Sequence, residues 1–169
     1  MKLENKVAIV TGAGRNIGES IAHPLSDEGA GVAVVDLELD RAEAVAKAIT
    51  DKGGKAIAIA ANVADEDDVK RLVKETVDGL GRIDVLVNNV AISDNQHILD
   101  ISKEDWDRVI SVTLGAPFLM GKYCAQQMVD QGDGGAIVNI SSTSGWRGRP
   151  RAIAYTTAKG GVVNLTRSM

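Results

Sequence analysis

Five short apolar runs, Val7–Val10, Gly31–Val35, Ala56–Ala60, Ile83–Val87 and Ala136–Ile140, recur along the 169-residue chain with helical patterns between them. The runs are near-continuously apolar rather than alternating, which is the pattern of parallel strands covered on both faces. Helical stretches at about 17–28, 39–52, 65–79 and 103–130, and a last one from about 153, fill the gaps. Strand–helix–strand alternation of this kind predicts an α/β fold: a Rossmann-like doubly wound parallel sheet, five strands in the order 3-2-1-4-5, with right-handed crossovers. No linker, low-complexity tract or short repeat interrupts the pattern, so residues 1–169 are expected to form a single domain.

A net charge of −4 argues against a nucleic-acid or anionic-membrane partner. Cys124 is the sole cysteine, which rules out an internal disulfide and fits a reducing compartment. The opening MKLENKVAIVTG, with Glu4 and a four-residue apolar run, reads as neither signal peptide nor membrane span. A cytoplasmic protein is expected. Pro24 falls inside the first helical stretch, where it removes one hydrogen bond and crowds Ser20 at a cost of ~3 kcal/mol, so a kink is expected there.

In an open parallel sheet ligands bind beyond the carboxyl ends of the strands. The first strand runs into Thr11-Gly12-Ala13-Gly14-Arg15-Asn16-Ile17-Gly18, and the second ends at Asp36. The third leads to Asn62-Val63, the fourth to Asn88-Asn89-Val90-Ala91, and the fifth to Ser141-Ser142. Polar residues follow any apolar strand; five such sets at one edge call for a ligand. The glycine turn opens a helix whose free N–H groups and positive end suit a pyrophosphate. Asp36 can accept hydrogen bonds from an adenosine ribose and would repel a 2′-phosphate, which favours NAD over NADP. Arg15 pulls the other way, although a solvated surface arginine is its simpler role.

Tyr155 and Lys159 stand at i, i+4 on one helix face, with Ser142 thirteen residues upstream. A free phenol titrates near ~10, and a fixed cation beside it favours the phenolate. Ser142 can hold a substrate oxygen next to that phenol. The set reads as a proton-transfer site.

Together these motifs resemble the short-chain dehydrogenase/reductase family over the whole chain. The resemblance implies reversible hydride transfer between a nicotinamide cofactor and a small-molecule secondary alcohol or ketone. Tyr155 would be the general acid/base, Lys159 would assist it and bind the nicotinamide ribose, and Ser142 would orient the substrate oxygen. Gly12 and Gly18 would border the pyrophosphate, with Arg15, Asn16 and Ile17 completing that turn. Asp36 would bind the adenosine ribose, Asn62 and Val63 would flank the adenine, and Asn88 would support the cofactor side of the sheet. By the same resemblance the two long helices, 103–130 and the one from 153, imply a homotetramer or dimer.

Three positions depart from the family pattern. Asn16 and Val90 stand where glycines are usual, and Thr113 occupies the place of a catalytic asparagine. Threonine there predicts a weakened rather than an abolished proton relay. Similar proteins continue past Met169 with further strands, a nicotinamide-contacting loop and a substrate lid, so the chain is expected to be C-terminally truncated and, alone, to have little activity. Two other readings compete: a non-catalytic dinucleotide-binding or interaction module, and an epimerase or dehydratase sharing the Tyr–Lys pair. Around the substrate side lie Trp146 and the cluster Arg147, Arg149 and Arg151, which would attract an anionic substrate or form a solvated loop face.

Overall fold

A computed structural model describes residues 1–169. Five parallel strands, β1 (Val7–Thr11), β2 (Gly31–Asp36), β3 (Lys55–Ala60), β4 (Val85–Asn88) and β5 (Ala136–Asn139), pair in the order β3-β2-β1-β4-β5. Helices α1 (Asn16–Asp27), α2 (Leu39–Thr50), α3 (Glu66–Leu80), α4 (Lys103–Ile110), α5 (Ala116–Asp130) and α6 (Ile153–Ser168) flank the sheet. This is the doubly wound order that the strand pattern predicts.

Two-sided burial is visible residue by residue in the inner strands β1, β2 and β4, whereas the edge strand β5, read as covered on both faces, leaves Val138 47% exposed. Ile9, Ala33, Val35 and Leu86 enter one core with Leu72 of α3 and Met120 of α5. Their strand neighbours Ala8, Val10, Val32 and Val34 enter a second core with Val45 and Ile49 of α2. Successive side chains leave a strand on opposite faces, so a strand with no polar position has no face for water.

Helix boundaries follow local chemistry. Asp65 accepts hydrogen bonds from the N–H groups of Asp67 and Asp68, both at 3.0 Å, and so caps α3. Gly81, at φ +92°, ends it in the left-handed conformation that glycine adopts without strain. α1 continues through Pro24 to Asp27, and the Pro24 carbonyl still accepts the Glu28 N–H at 3.1 Å.

Most element ends fall within one or two residues of the sequence reading, and two differences have an identifiable structural origin. β4 begins at Val85 rather than Ile83, whose N–H and carbonyl are both held by the Gln131 side chain. The Ile83 N–H donates to the Gln131 side chain at 3.2 Å, while the Asp84 backbone donates to the Val7 carbonyl and accepts from the Ala136 N–H, each at 2.8 Å. The stretch 103–130 is helical throughout but is split by a π-helical turn, Ser111–Gly115, between α4 and α5. Such wide turns arise where a helix must offset its register, frequently at functional sites.

Asp84 anchors the amino ends of the central strands. Its carboxylate accepts from the Val7 N–H (2.9 Å), from Lys6 Nζ (3.0 Å) and from Arg82 Nε and Nη2 (both 2.7 Å). Burial pushes this carboxyl up, but the hydrogen bonds from Arg82, the Val7 N–H and Lys6 outweigh it and hold the group below the usual aspartate range. Asp84→Ala is expected to lower the unfolding free energy by about 2–3 kcal/mol; the full cost of a broken buried pair is not reached because Arg82 and Lys6 reach water. A depressed carboxyl contributes its stability above the ordinary value of about 3.9 and loses it as pH falls through the lower folded-state value. Urea unfolding of the two forms should therefore differ by a constant amount from neutral pH down to about 4 and converge below.

Candidate active site

The glycine turn is bound to the strand on each side. The Ala13 N–H donates to the Val35 carbonyl at 2.9 Å. Thr11 Oγ1 donates to the Val87 carbonyl (3.3 Å) and accepts from the N–H groups of Asn89 (3.0 Å) and Val90 (3.3 Å). The Asn89 side-chain amide donates to the carbonyls of Thr11 (3.0 Å) and Gly12 (3.3 Å).

Gly12 adopts φ +63° and Asn16 φ +52°. Asparagine is among the few side chains that enter this left-handed region readily, so the turn keeps its shape without the usual glycine. A Cβ on Gly18 would lie 2.1 Å from the Gly12 carbonyl oxygen, so the start of α1 rests directly on the turn. Arg15, the residue before α1, offers no side-chain cap, which leaves the first N–H groups of the helix free of side-chain acceptors.

Asp36 is nearly buried and accepts from the N–H groups of Gly14 (3.0 Å) and Glu38 (3.2 Å). A Cβ on Gly14 would meet Asp36 Oδ2 at 2.8 Å, so glycine is what allows the carboxylate to lie against the turn. Asn62 is exposed, accepting from the Ala64 N–H at 3.1 Å, while Val63 is buried in the core. Ile17 is 63% exposed beside the turn. Asn88 is buried and donates to Asn139 Oδ1 at 2.8 Å; Asn139 in turn donates to Thr166 of α6 at 3.0 Å.

At the other side of the same edge, α6 carries Tyr155 and Lys159. Lys159 is 3% exposed; its ammonium donates to the Ile140 carbonyl at the end of β5 and lies 5.9 Å from the Tyr155 ring centroid. Burial pushes this ammonium below its ordinary value. The loop after β5 closes on the helix here: Ser141 Oγ donates to the Lys159 carbonyl at 3.2 Å, and Gly145 leaves room for that carbonyl where a Cβ would sit 2.7 Å from it. Ser142 Oγ accepts from the Ser144 N–H at 3.1 Å and starts the 3₁₀ turn Thr143–Gly145.

The family description "short chain dehydrogenase" matches residues 6–169 by sequence, over the whole of this edge. The chain belongs to the short-chain dehydrogenase family. It is 40% identical over 169 residues to an uncharacterized oxidoreductase of Thermotoga maritima, covering 100% of this chain and 66% of that one. It is 38% identical over 168 residues to a sorbitol dehydrogenase of Cereibacter sphaeroides, covering 99% and 64% respectively. A crystal structure of a short chain dehydrogenase from Mycobacterium smegmatis superposes with a TM-score of 0.95 at 35% identity, covering 99% of this chain and 70% of the other. The chain thus spans about two-thirds of the length of these relatives.

Thr113 lies in the π-helical turn, fully buried. Its hydroxyl donates to the Ile92 carbonyl (2.9 Å) and accepts from the Ile92 N–H (3.1 Å). The donor is spent on the loop after β4, and Thr113 works there as a backbone clamp. Cys124 is fully buried and its thiol is pushed up to about 12 by burial, which leaves it inert at neutral pH.

Two side chains at this edge escape sequence reasoning. Asn89 holds the glycine turn, a role hidden because both asparagines of the pair look alike in sequence. Asp94, in the loop after β4, is 8% exposed and accepts from the N–H groups of Tyr155 (2.9 Å) and Ala154 (3.4 Å). The residue before α6, Ala152, has no capping side chain, so Asp94 caps the helix from sixty positions away. The only trace in sequence is the missing cap. Asp94→Ala is expected to cost about 1–2 kcal/mol of stability by thermal unfolding, with Asp94→Asn recovering part of it as an acceptor.

Proposed function

We propose that this chain supplies the cofactor cradle and proton-transfer residues of a NAD-dependent oxidoreductase that moves a hydride between the nicotinamide and a secondary alcohol or ketone. The single observation that carries the reading is the buried Lys159 ammonium, fixed by the Ile140 carbonyl, 5.9 Å from the Tyr155 ring. An isolated buried cation is costly, and its retention beside a phenol is accounted for by a task that needs the phenolate.

The residues fit a dinucleotide. The glycines let the turn pack tightly under the start of α1, whose first N–H groups lack a side-chain cap, and Asp36 stands at the end of β2. When bound, the nicotinamide gives or takes the hydride. Tyr155 gives the alcohol oxygen its proton during ketone reduction and takes it back in the reverse direction. Lys159 favours the phenolate, and Ser142 orients the substrate oxygen. Asp36 sets the preference for NAD by repelling a 2′-phosphate.

A panel of secondary alcohols and ketones, assayed on the complete gene product with NAD and NADP, tests this. Turnover with NAD ahead of NADP is expected. NAD binding with no turnover of any substrate would leave a dinucleotide-binding module instead.

A further inference from the structure

Charge is distributed unevenly along this chain. Residues 1–133 hold fourteen Lys and Arg against all twenty-three Asp and Glu, whereas residues 134–169 hold four arginines, one lysine and no acid. Pairing follows the same division. Nine of the first fourteen cations lie within 4.0 Å of a carboxylate, and none of the last five does. Lys159 is accounted for by the Ile140 carbonyl.

Two of the four arginines have partners other than a carboxylate. Arg151 Nε donates to His97 Nε2 at 3.2 Å, and the Arg167 guanidinium lies 5.1 Å from the centroid of the Trp146 ring. The remaining two, Arg147 and Arg149, are exposed and line an open cleft of about 610 Å³ with Thr143, Ser144, Trp146 and Gly148. Trp146 is 67% exposed along this cleft. Ser144 joins it to the reacting end of the site, since its N–H donates to Ser142 Oγ.

We propose that Arg147 and Arg149 bind an anionic group, a carboxylate or a phosphate, carried by the small-molecule alcohol or ketone. This rests on the proposed oxidoreductase reading for the reacting end alone. A guanidinium presents a fork of N–H donors that matches either anion, and the absence of any acid in residues 134–169 leaves both forks available. Ser142 would hold the oxygen being reduced while the arginines hold the far, charged end of the same molecule.

The test uses the complete gene product in a Trp106→Phe background, so that Trp146 is the only tryptophan of this chain. Inorganic phosphate alone is the first probe. Saturable quenching of Trp146 is expected, and Arg147→Gln/Arg149→Gln should weaken it at least tenfold, the lower end for charge-assisted pairs in a solvent-open cleft. The second arm compares matched ketones, acetoacetate against its methyl ester and dihydroxyacetone phosphate against dihydroxyacetone, and separates carboxylate from phosphate. The wild-type preference in kcat/KM for the charged member should fall at least tenfold in the double variant, through KM.

Unchanged Trp146 emission with phosphate, or an unchanged charged-to-neutral ratio in a protein that does turn over ketones, would overturn the anion site and leave the oxidoreductase reading standing. Phosphate quenching that disappears in the double variant, in a protein that reduces no ketone, would support the anion site and sink the oxidoreductase reading.

Discussion

Tyr155→Phe in the complete gene product is expected to lower kcat by ~10²–10⁴-fold, the range general acid–base catalysis contributes, while the affinity for NAD and the melting temperature stay near wild type. The change removes one oxygen. The phenol hydroxyl makes no hydrogen bond that holds the fold, whereas the Tyr155 N–H, bound to Asp94, is backbone and survives the substitution. Lys159 keeps its contact with the Ile140 carbonyl as well. A loss of kcat with folding and cofactor binding intact would place the defect in proton transfer. A comparable loss of melting temperature would instead mean that Tyr155 is structural.

Gly18→Ala is expected to be the most damaging single methyl in the protein. The new Cβ would sit 2.1 Å from the Gly12 carbonyl oxygen, 2.7 Å from the Gly12 carbonyl carbon and 2.8 Å from Ala13 Cα. All three are backbone atoms, so no side chain can swing aside. The turn itself cannot yield easily, because Asn89 holds the carbonyls of Thr11 and Gly12 and the Val35 carbonyl holds the Ala13 N–H. Overpacking of a rigid site costs typically 1–3 kcal/mol, and the upper end is expected here. If that strain falls on the cofactor-binding conformation, NAD affinity drops by about a hundredfold. Calorimetric titration with NAD, alongside urea unfolding, separates the two costs. Wild-type affinity and stability together would show that α1 is free to move off the turn.

The sheet was legible because its physics is local. A strand buried on both faces has to be apolar at every position, and the two cores on either side of Val10 and Ile9 show why. The placement of residues at its carboxyl edge was legible in part: Asp36 ends β2, Ser142 precedes the 3₁₀ turn, and the i, i+4 spacing of Tyr155 and Lys159 puts both on α6. What could not be read depends on contacts between distant segments. Asp94 caps α6 only because the loop after β4 passes its first turn, and no local pattern announces that.

Thr113 is a similar case. Its place in the sequence did not announce that the π-helical turn delivers its hydroxyl to both polar groups of Ile92. Asn16 was the reverse: the left-handed tolerance of asparagine is a property of the residue, and φ +52° follows from it. Ile83 falls outside β4 because the distant Gln131 side chain takes its N–H and carbonyl, and the Asp84 carboxylate belongs to the ion network at the amino ends of the strands.

Transfer of deuterium from C4-labelled reduced NAD to a ketone, in a single turnover of the complete gene product, reaches the proposed activity most directly. Label on the carbinol carbon of the alcohol formed, with the oxygen-bound proton drawn from solvent, is the predicted result. Label that stays on the cofactor across the ketone panel, with NAD bound, would contradict it.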